Sequence, residues 1–266
     1  MSKSFLLNKY KEVILGSLLG DGSLKIHTPY KNARFSFRHS VNQKEYFFWK
    51  MNQLKEISSE LCYWQTKGRD GLGGEKLRYQ SLATNELTDL YNLTSSKGGL
   101  KIRRKWLNMM TPLSLAIWWL DDGSIIVNGR RGVICTDPFT LEDQKILAQY
   151  LLKVWGVRTT IGKITRNWNG KTVEYYRLWI RSGDELRKLF KIILPHIKVE
   201  QMLPKVTLLY KNSELQQRWI SEVSKLTGFS EKFVEKYTNE KKSRWKHFRE
   251  LYSPILQVIG ETIVRL

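Results

Sequence analysis

The stretch Thr111-Pro112-Leu113-Ser114-Leu115-Ala116-Ile117-Trp118-Trp119-Leu120-Asp121-Asp122-Gly123 decides how this chain folds. Thr111 is a good helix cap, and Pro112 at the first helical position gives up no hydrogen bond. The apolar run that follows has only Ser114 within it and stops at two adjacent carboxylates and a glycine. That end is the negative pole of the helix, where cations are favoured. Two acids placed there call for a bound cation or a very exposed turn.

Upstream, Val13-Ile14-Leu15-Gly16-Ser17-Leu18-Leu19-Gly20-Asp21-Gly22 is again an apolar helix ending in Asp-Gly. Asp122 follows Asp21 by 101 positions, and the same offset carries Gly68 onto Asn169, both in expected hairpin loops. It also carries Leu77 and Tyr79 onto Leu178 and Ile180, keeping the inward faces alike, and Arg78 and Gln80 onto Trp179 and Arg181. After the first helix, period-two alternation predicts strands at Ser23–His27 and Ala33–Arg38, with Phe35 and Phe37 inward. A helix over Gln43–Ser59, strands at Leu61–Lys67 and Lys76–Ala83, and a helix over Asn85–Leu93 complete the unit. The second unit predicts strands at Ser124–Asn128 and Gly132–Thr136, then a helix over Thr140–Trp155. Strands at Val157–Arg166 and Thr172–Arg181, joined by an Asn-Gly turn, and a helix over Gly183–Leu194 close it.

The fold class is therefore α+β: two pseudo-symmetric αββαββα repeats, the single-chain equivalent of an isologous dimer. The expected divisions are residues 1–100 and 101–206 for the repeats and 207–266 for a helical extension. Within that extension, Ser221–Asn239 reads loosely as a helix-turn-helix. It stays open between a DNA-contacting unit and a helical cap on the second repeat. The run Lys241-Lys242-Ser243-Arg244-Trp245-Lys246 reads as a phosphate-facing surface.

Of 266 residues, 41% are apolar, enough for a packed core, and no apolar run reaches the roughly 20 residues of a membrane span. Lys and Arg number 45 against 25 Asp and Glu, a formal net charge of +20 that asks for a polyanion, and nucleic acid is the usual one. Cys62 and Cys135 read as free thiols, and the scattered histidines have no zinc-ligand spacing. The start, Met1 to Asn8, is too soon polar for a secretory signal. An organelle is expected if the chain is encoded there, and otherwise the cytoplasm.

Gly16 and Gly20, four apart, let another helix approach closely, and the second helix offers Ala116. Side by side, the two helices bring Asp21 and Asp122 together. Two close carboxylates repel, and one stays protonated unless a divalent cation sits between them. Hard oxygen ligands completed by water and phosphate suit Mg²⁺, with Mn²⁺ able to substitute. In a basic protein this supports in-line hydrolysis of a phosphodiester.

The two segments ending in Asp21-Gly22 and Asp122-Gly123 resemble the paired LAGLIDADG motifs of homing endonucleases. The second is most similar to the monomeric two-motif branch encoded in organellar introns. The resemblance covers residues 5 to 206. It implies a DNA-binding saddle of two four-stranded antiparallel sheets on a long double-stranded site, cut on both strands across the minor groove. It implies metal ligation by Asp21 and Asp122 and by the main-chain carbonyls of Gly20 and Asp121. It also implies a basic residue near each scissile phosphate. Leu100-Lys101-Ile102 and Met202-Leu203-Pro204-Lys205-Val206 match those positions, with Pro204 in place of an aromatic. Lys101 and Lys205 stay open between that role and plain phosphate contacts. DNA contacts are expected from the outward strand residues Lys25, His27, Arg34, Ser36, Arg38, Lys76, Arg78 and Gln80, and from Asn128, Arg130, Arg131, Arg166, Arg177 and Arg181. Each is open between base, phosphate and solvent. Intron RNA, bound by a maturase on the same fold, is the second candidate partner.

Overall fold

A computed structural model describes residues 9–67, 74–96, 99–126, 129–168 and 170–245. Gly68, Asn128, Asn169 and Lys246 lie outside them. The first repeat runs α1 (Lys9–Leu18), β1 (Gly22–Lys25), β2 (Arg34–Ser40), α2 (Lys44–Asn52), β3 (Tyr63–Thr66), β4 (Lys76–Gln80), α3 (Asn85–Thr94). A two-residue-strand hairpin, β5 (Ser95–Ser96) with β6 (Gly99–Leu100), and a one-turn helix α4 (Arg104–Leu107) connect it to the second. That repeat runs α5 (Pro112–Asp122), β7 (Gly123–Ile126), β8 (Arg131–Ile134), α6 (Leu141–Trp155), β9 (Thr160–Trp168), β10 (Lys171–Ile180), α7 (Gly183–Ile193). The extension holds α8 (Ser213–Thr227) and α9, residues 231–245.

The repeats build two antiparallel four-stranded sheets of identical order, β1-β2-β4-β3 and β7-β8-β10-β9. The predicted αββαββα order is present in both. Its register needs a correction. Gly22 pairs with Phe37 and Gly123 with Ile134, so across the inner strands the offset is 97, not 101. The connection from β1 to β2 covers 26–33, whereas its counterpart covers 127–130, and those four missing residues account for the shift. Phe37 pairs with Tyr79 and Ile134 with Leu178, so the next strand is offset by 99. The counterpart of Arg78 is therefore Arg177 rather than Trp179, and that of Gln80 is Trp179 rather than Arg181. Every shift is even, so inward faces still match. A second difference is α2, which stops at Asn52 because a 3₁₀ turn, Lys55–Ile57, tucks Leu54 and Ile57 into the core.

α1 and α5 lie side by side at the centre. Thr111 and Ser114 form a reciprocal capping box with Pro112 at the first position, an arrangement that stabilises a helix start by about 1 kcal/mol. A Cβ on Gly16 would strike the Ser114 carbonyl, and one on Gly20 would lie 2.5 Å from Asp121 Cβ. The close approach rests on Ser114, Ile117 and Asp121 more than on Ala116. One apolar core runs from Tyr10 to Val234 through both repeats into the extension.

The extension packs as a cap. Trp219, Ile220, Val223 and Val234 are buried, the Trp219 and Phe190 rings lie 6.2 Å apart, and Lys191 pairs with Glu222 at 2.9 Å. Gly228, at φ +85°, makes the turn between α8 and α9 that a side chain would resist.

Candidate active site and nucleic-acid interface

Because α1 and α5 are parallel neighbours, Asp21 and Asp122 emerge together where the helices hand over to β1 and β7. Their surroundings differ. Burial raises the carboxyl of Asp122 first, and the charges of Asp21 and then Asp121 add to it, pushing it up to about 7. Burial also raises Asp21, but hydrogen bonding and charge from His39, with the charges of Lys50 and Lys205, outweigh it and hold that carboxyl below its ordinary value. His39 Nδ1 lies 3.4 Å from Asp21 Oδ2.

Asp121 has a role beyond its carbonyl. Its side chain is fully buried, takes Lys50 Nζ at 2.7 and 3.0 Å on its two oxygens, and accepts from Tyr46 Oη at 2.8 Å. The Asp21 amide points to the same carboxylate at 3.4 Å. The cation that two acids at a helix C-terminus require is thus partly supplied by the protein. Lys50 also lies 4.7 Å from the centre of the Phe37 ring, a cation–π placement.

Lys205 reaches the end of α5 from the far end of the second repeat. Its Nζ donates to the carbonyls of Leu120 at 2.5 Å and Asp121 at 3.1 Å, capping α5. Burial pushes this ammonium below its ordinary range against the pull of Asp121, Asp122 and Asp21. Pro204 is accommodated in a 3₁₀ turn, Glu200–Lys205. Lys101 is half exposed, 3.9 Å from Asp143 Oδ1, and the basic groups that act most on the two acids are His39, Lys50 and Lys205.

Two sets of side chains offer ligand atoms to a cation. Asp21, His39 and Asp121 place ligand atoms within 4.8 Å of one another, but Asp121 is committed to Lys50 and Tyr46. Asp21 and Asp122 form the second set, in which Asp122 stays protonated up to about 7 beside a carboxylate that does not. A divalent cation between them would relieve that pair.

Next to Asp21 lies a groove of about 440 Å³ lined by Lys25, His27, Ser36, Arg38, Arg78 and Gln80, all expected contacts. Trp64, unexpected from the sequence, joins them because β3 pairs it with Arg78. Arg34 stacks on Tyr30 at 4.6 Å, and Lys76 is half-buried at the Ser40 end of β2. In the second repeat, Arg130, Arg131 and Arg181 line a basic recess with Arg187 and Tyr210, and Arg166 is exposed near Tyr175. Arg177 is not free: its guanidinium forks onto Asp137 at 2.5 and 2.6 Å. Asn128 lies outside the described residues.

A model of the LAGLIDADG DNA endonuclease family matches residues 11–185, which take in both helix ends and both sheets. The chain belongs to that family. The solved structure of the homing endonuclease I-WcaI bound to its DNA recognition sequence shares the fold, with a TM-score of 0.63 at 18% identity over 77% of this chain and 88% of that one. Among curated relatives, Protein RecA of Mycobacterium gastri is 30% identical over 57% of this chain and 38% of its own length. Cytochrome b mRNA maturase bI2 of Saccharomyces cerevisiae is 28% identical over 70% of this chain and 44% of its own. DNA endonuclease I-ChuI of Chlamydomonas applanata is 25% identical over 60% of this chain and 79% of its own. The matched stretch thus spans less than half the length of the first two relatives. No described helix is long and apolar enough to cross a membrane.

Proposed function

We propose that this protein is a monomeric, site-specific endonuclease that binds a long double-stranded DNA site. It hydrolyses one phosphodiester on each strand, leaves short 3′ overhangs and so promotes intron mobility. The observation that carries the reading is the convergence of Asp21 and Asp122 beside a basic groove, with Asp122 pushed up to about 7 by burial and by its partner. A pure DNA binder gains nothing from such a pair.

Asp21 and Asp122 would hold Mg²⁺ or Mn²⁺, which when bound activates water and stabilises the leaving 3′ oxygen. Gly20 and Asp121 would add main-chain oxygens, with Lys205 releasing the Asp121 carbonyl to meet phosphate. Lys50 and Tyr46 keep the Asp121 side chain out of the ligand set, and His39 holds Asp21 ionised. Lys101 serves the first repeat as a phosphate contact. The two repeats supply the halves of the site and the extension beyond 206 buttresses the second.

Incubation with a randomised DNA pool and Mg²⁺, followed by sequencing of cut ends, should return one long motif, and Ca²⁺ should support binding without cutting. No cut sites with Mg²⁺ would refute the reading. A maturase-like activity on intron RNA is the second reading, favoured by the likeness to the yeast mRNA maturase. It requires specific binding to an intron RNA and splicing rescued by a variant with Asp21 and Asp122 both changed to Asn.

A further inference from the structure

The run beginning at Lys241 was expected to face phosphate, and the structure puts its first residue elsewhere. Lys241 Nζ is turned into the protein and donates to the carbonyls of Pro204 at 2.7 Å and Thr207 at 2.8 Å. Those two residues bracket Lys205, and the Lys205 carbonyl itself accepts from Trp119 Nε1 at 2.8 Å. The turn that carries Lys205 is therefore held from α5 by an indole and from α9 by an ammonium.

We propose that Lys241 is a positioning residue, through which the C-terminal extension fixes the Lys205 turn against the end of α5 and so completes the site. Carbonyls at the end of a short 3₁₀ turn have no helical donor, and left unpaired in the interior they would be free to swing. Two of them pinned three residues apart leave the turn little freedom to carry the Lys205 main chain away from the end of α5, while its side chain stays free to exchange the Asp121 carbonyl for phosphate. Val234 and Thr238, both fully buried, seat α9 so that its next turn brings Lys241 to the site. The placement is costly. Burial pushes this amine down to about 7, and no carboxylate among the described residues offsets it. Methionine would fill the same space without that cost, so the two hydrogen bonds are what lysine supplies.

The inference rests on the endonuclease reading for its activity arm only. Lys241→Met should fold with a Tm close to that of the wild type, because removing the buried amine offsets the loss of its two hydrogen bonds, and should keep the Kd for target DNA. Its kcat should fall about ten- to hundredfold, the cost of a misplaced group near the reacting atoms. In a Lys205→Met background the same change should have no further effect on kcat, since Lys241 acts through Lys205. Equal fold-losses in both backgrounds, or a wild-type kcat in Lys241→Met, would overturn the proposal. An ¹⁵N-indole spectrum supplies a readout independent of cleavage. The Trp119 Nε1–H signal, assigned with Trp119→Phe, should shift in Lys241→Met while the indoles of the first repeat stay in place. If the wild-type protein cuts no DNA, the endonuclease reading fails, and this spectrum decides the clamp alone: a shift supports it and an unmoved signal overturns it.

Discussion

Asp21 and Asp122 come from one repeated motif, and the protein treats them differently. Behind Asp21 stand His39 and Lys50, and they hold that acid ionised. At the inner-strand offset of 97, which also relates the helix caps Gln43 and Thr140, the counterpart of His39 is Thr136 and that of Lys50 is Leu147. Leu147 is apolar and buried, and Thr136 spends its hydroxyl on Gln144 Oε1 at 2.8 Å. Asp122 thus has no counterpart of His39 or Lys50 beneath it, and the charges that pull its carboxyl down come chiefly from Lys205 at the far end of the repeat and from Lys50. A repeated motif fixes where two acids stand, and the layer beneath decides which one carries charge.

The comparison can be broken most severely at the acids themselves. Asp21→Asn or Asp122→Asn should each lower cleavage by about a thousandfold or more, because several kcal/mol of transition-state stabilisation goes with the cation site. Gel-shift affinity for the target should persist in both. Retained cutting in the double variant would remove the two acids from the mechanism.

Lys50→Met should cost about 3–5 kcal/mol in chemical denaturation, because it leaves the buried Asp121 carboxylate unpaired. Lys50→Met with Asp121→Leu should recover most of that loss. The corresponding change in the second repeat, Leu147→Met, conserves volume and should cost about 1 kcal/mol or less.

Next comes pH. Asp122 has its folded pKa raised above the unfolded value, so the folded state holds the extra proton between about 4 and 7. Stability of the cation-free protein should therefore fall as pH rises across that window, by an amount on the order of 2 kcal/mol after allowance for the part of the site open to solvent. Asp122→Asn should flatten the fall, and an unchanged slope would show that Asp122 is not the group responsible. Last come Arg78 and its counterpart Arg177. Arg78→Ala should weaken DNA binding by about 1–3 kcal/mol, and Arg177→Ala should chiefly lower Tm, because its fork on Asp137 is a structural pair.

Much of this was legible in the chain. Apolar periodicity places the helices, and the Asp-Gly repeat places the acids at adjoining helix ends. The glycines announce the close helix contact. Register was less legible, because one offset cannot describe two hairpins whose connections differ by four residues. That slip hid the equivalence of Arg78 and Arg177. His39 had a local signal: it continues the inward alternation of Phe35 and Phe37. Tyr46 and Lys50, four apart on α2, share a face, but nothing local says that this face turns toward an acid 71 residues away. Lys241 sits in a basic run that looks solvated, and only the docking of α9 shows its nitrogen turned inward.

The most direct test of an unequal, shared cation site is a ¹³C-carboxyl NMR titration of Asp21, Asp121 and Asp122, first without and then with Mg²⁺. Without the cation, Asp122 should titrate near 7 and Asp21 below the ordinary carboxylate range. Mg²⁺ should move both signals together and leave the Asp121 side chain, held by Lys50, almost unchanged. Two acids titrating alike near 4, or Mg²⁺ shifting Asp121 in place of Asp122, would contradict the account.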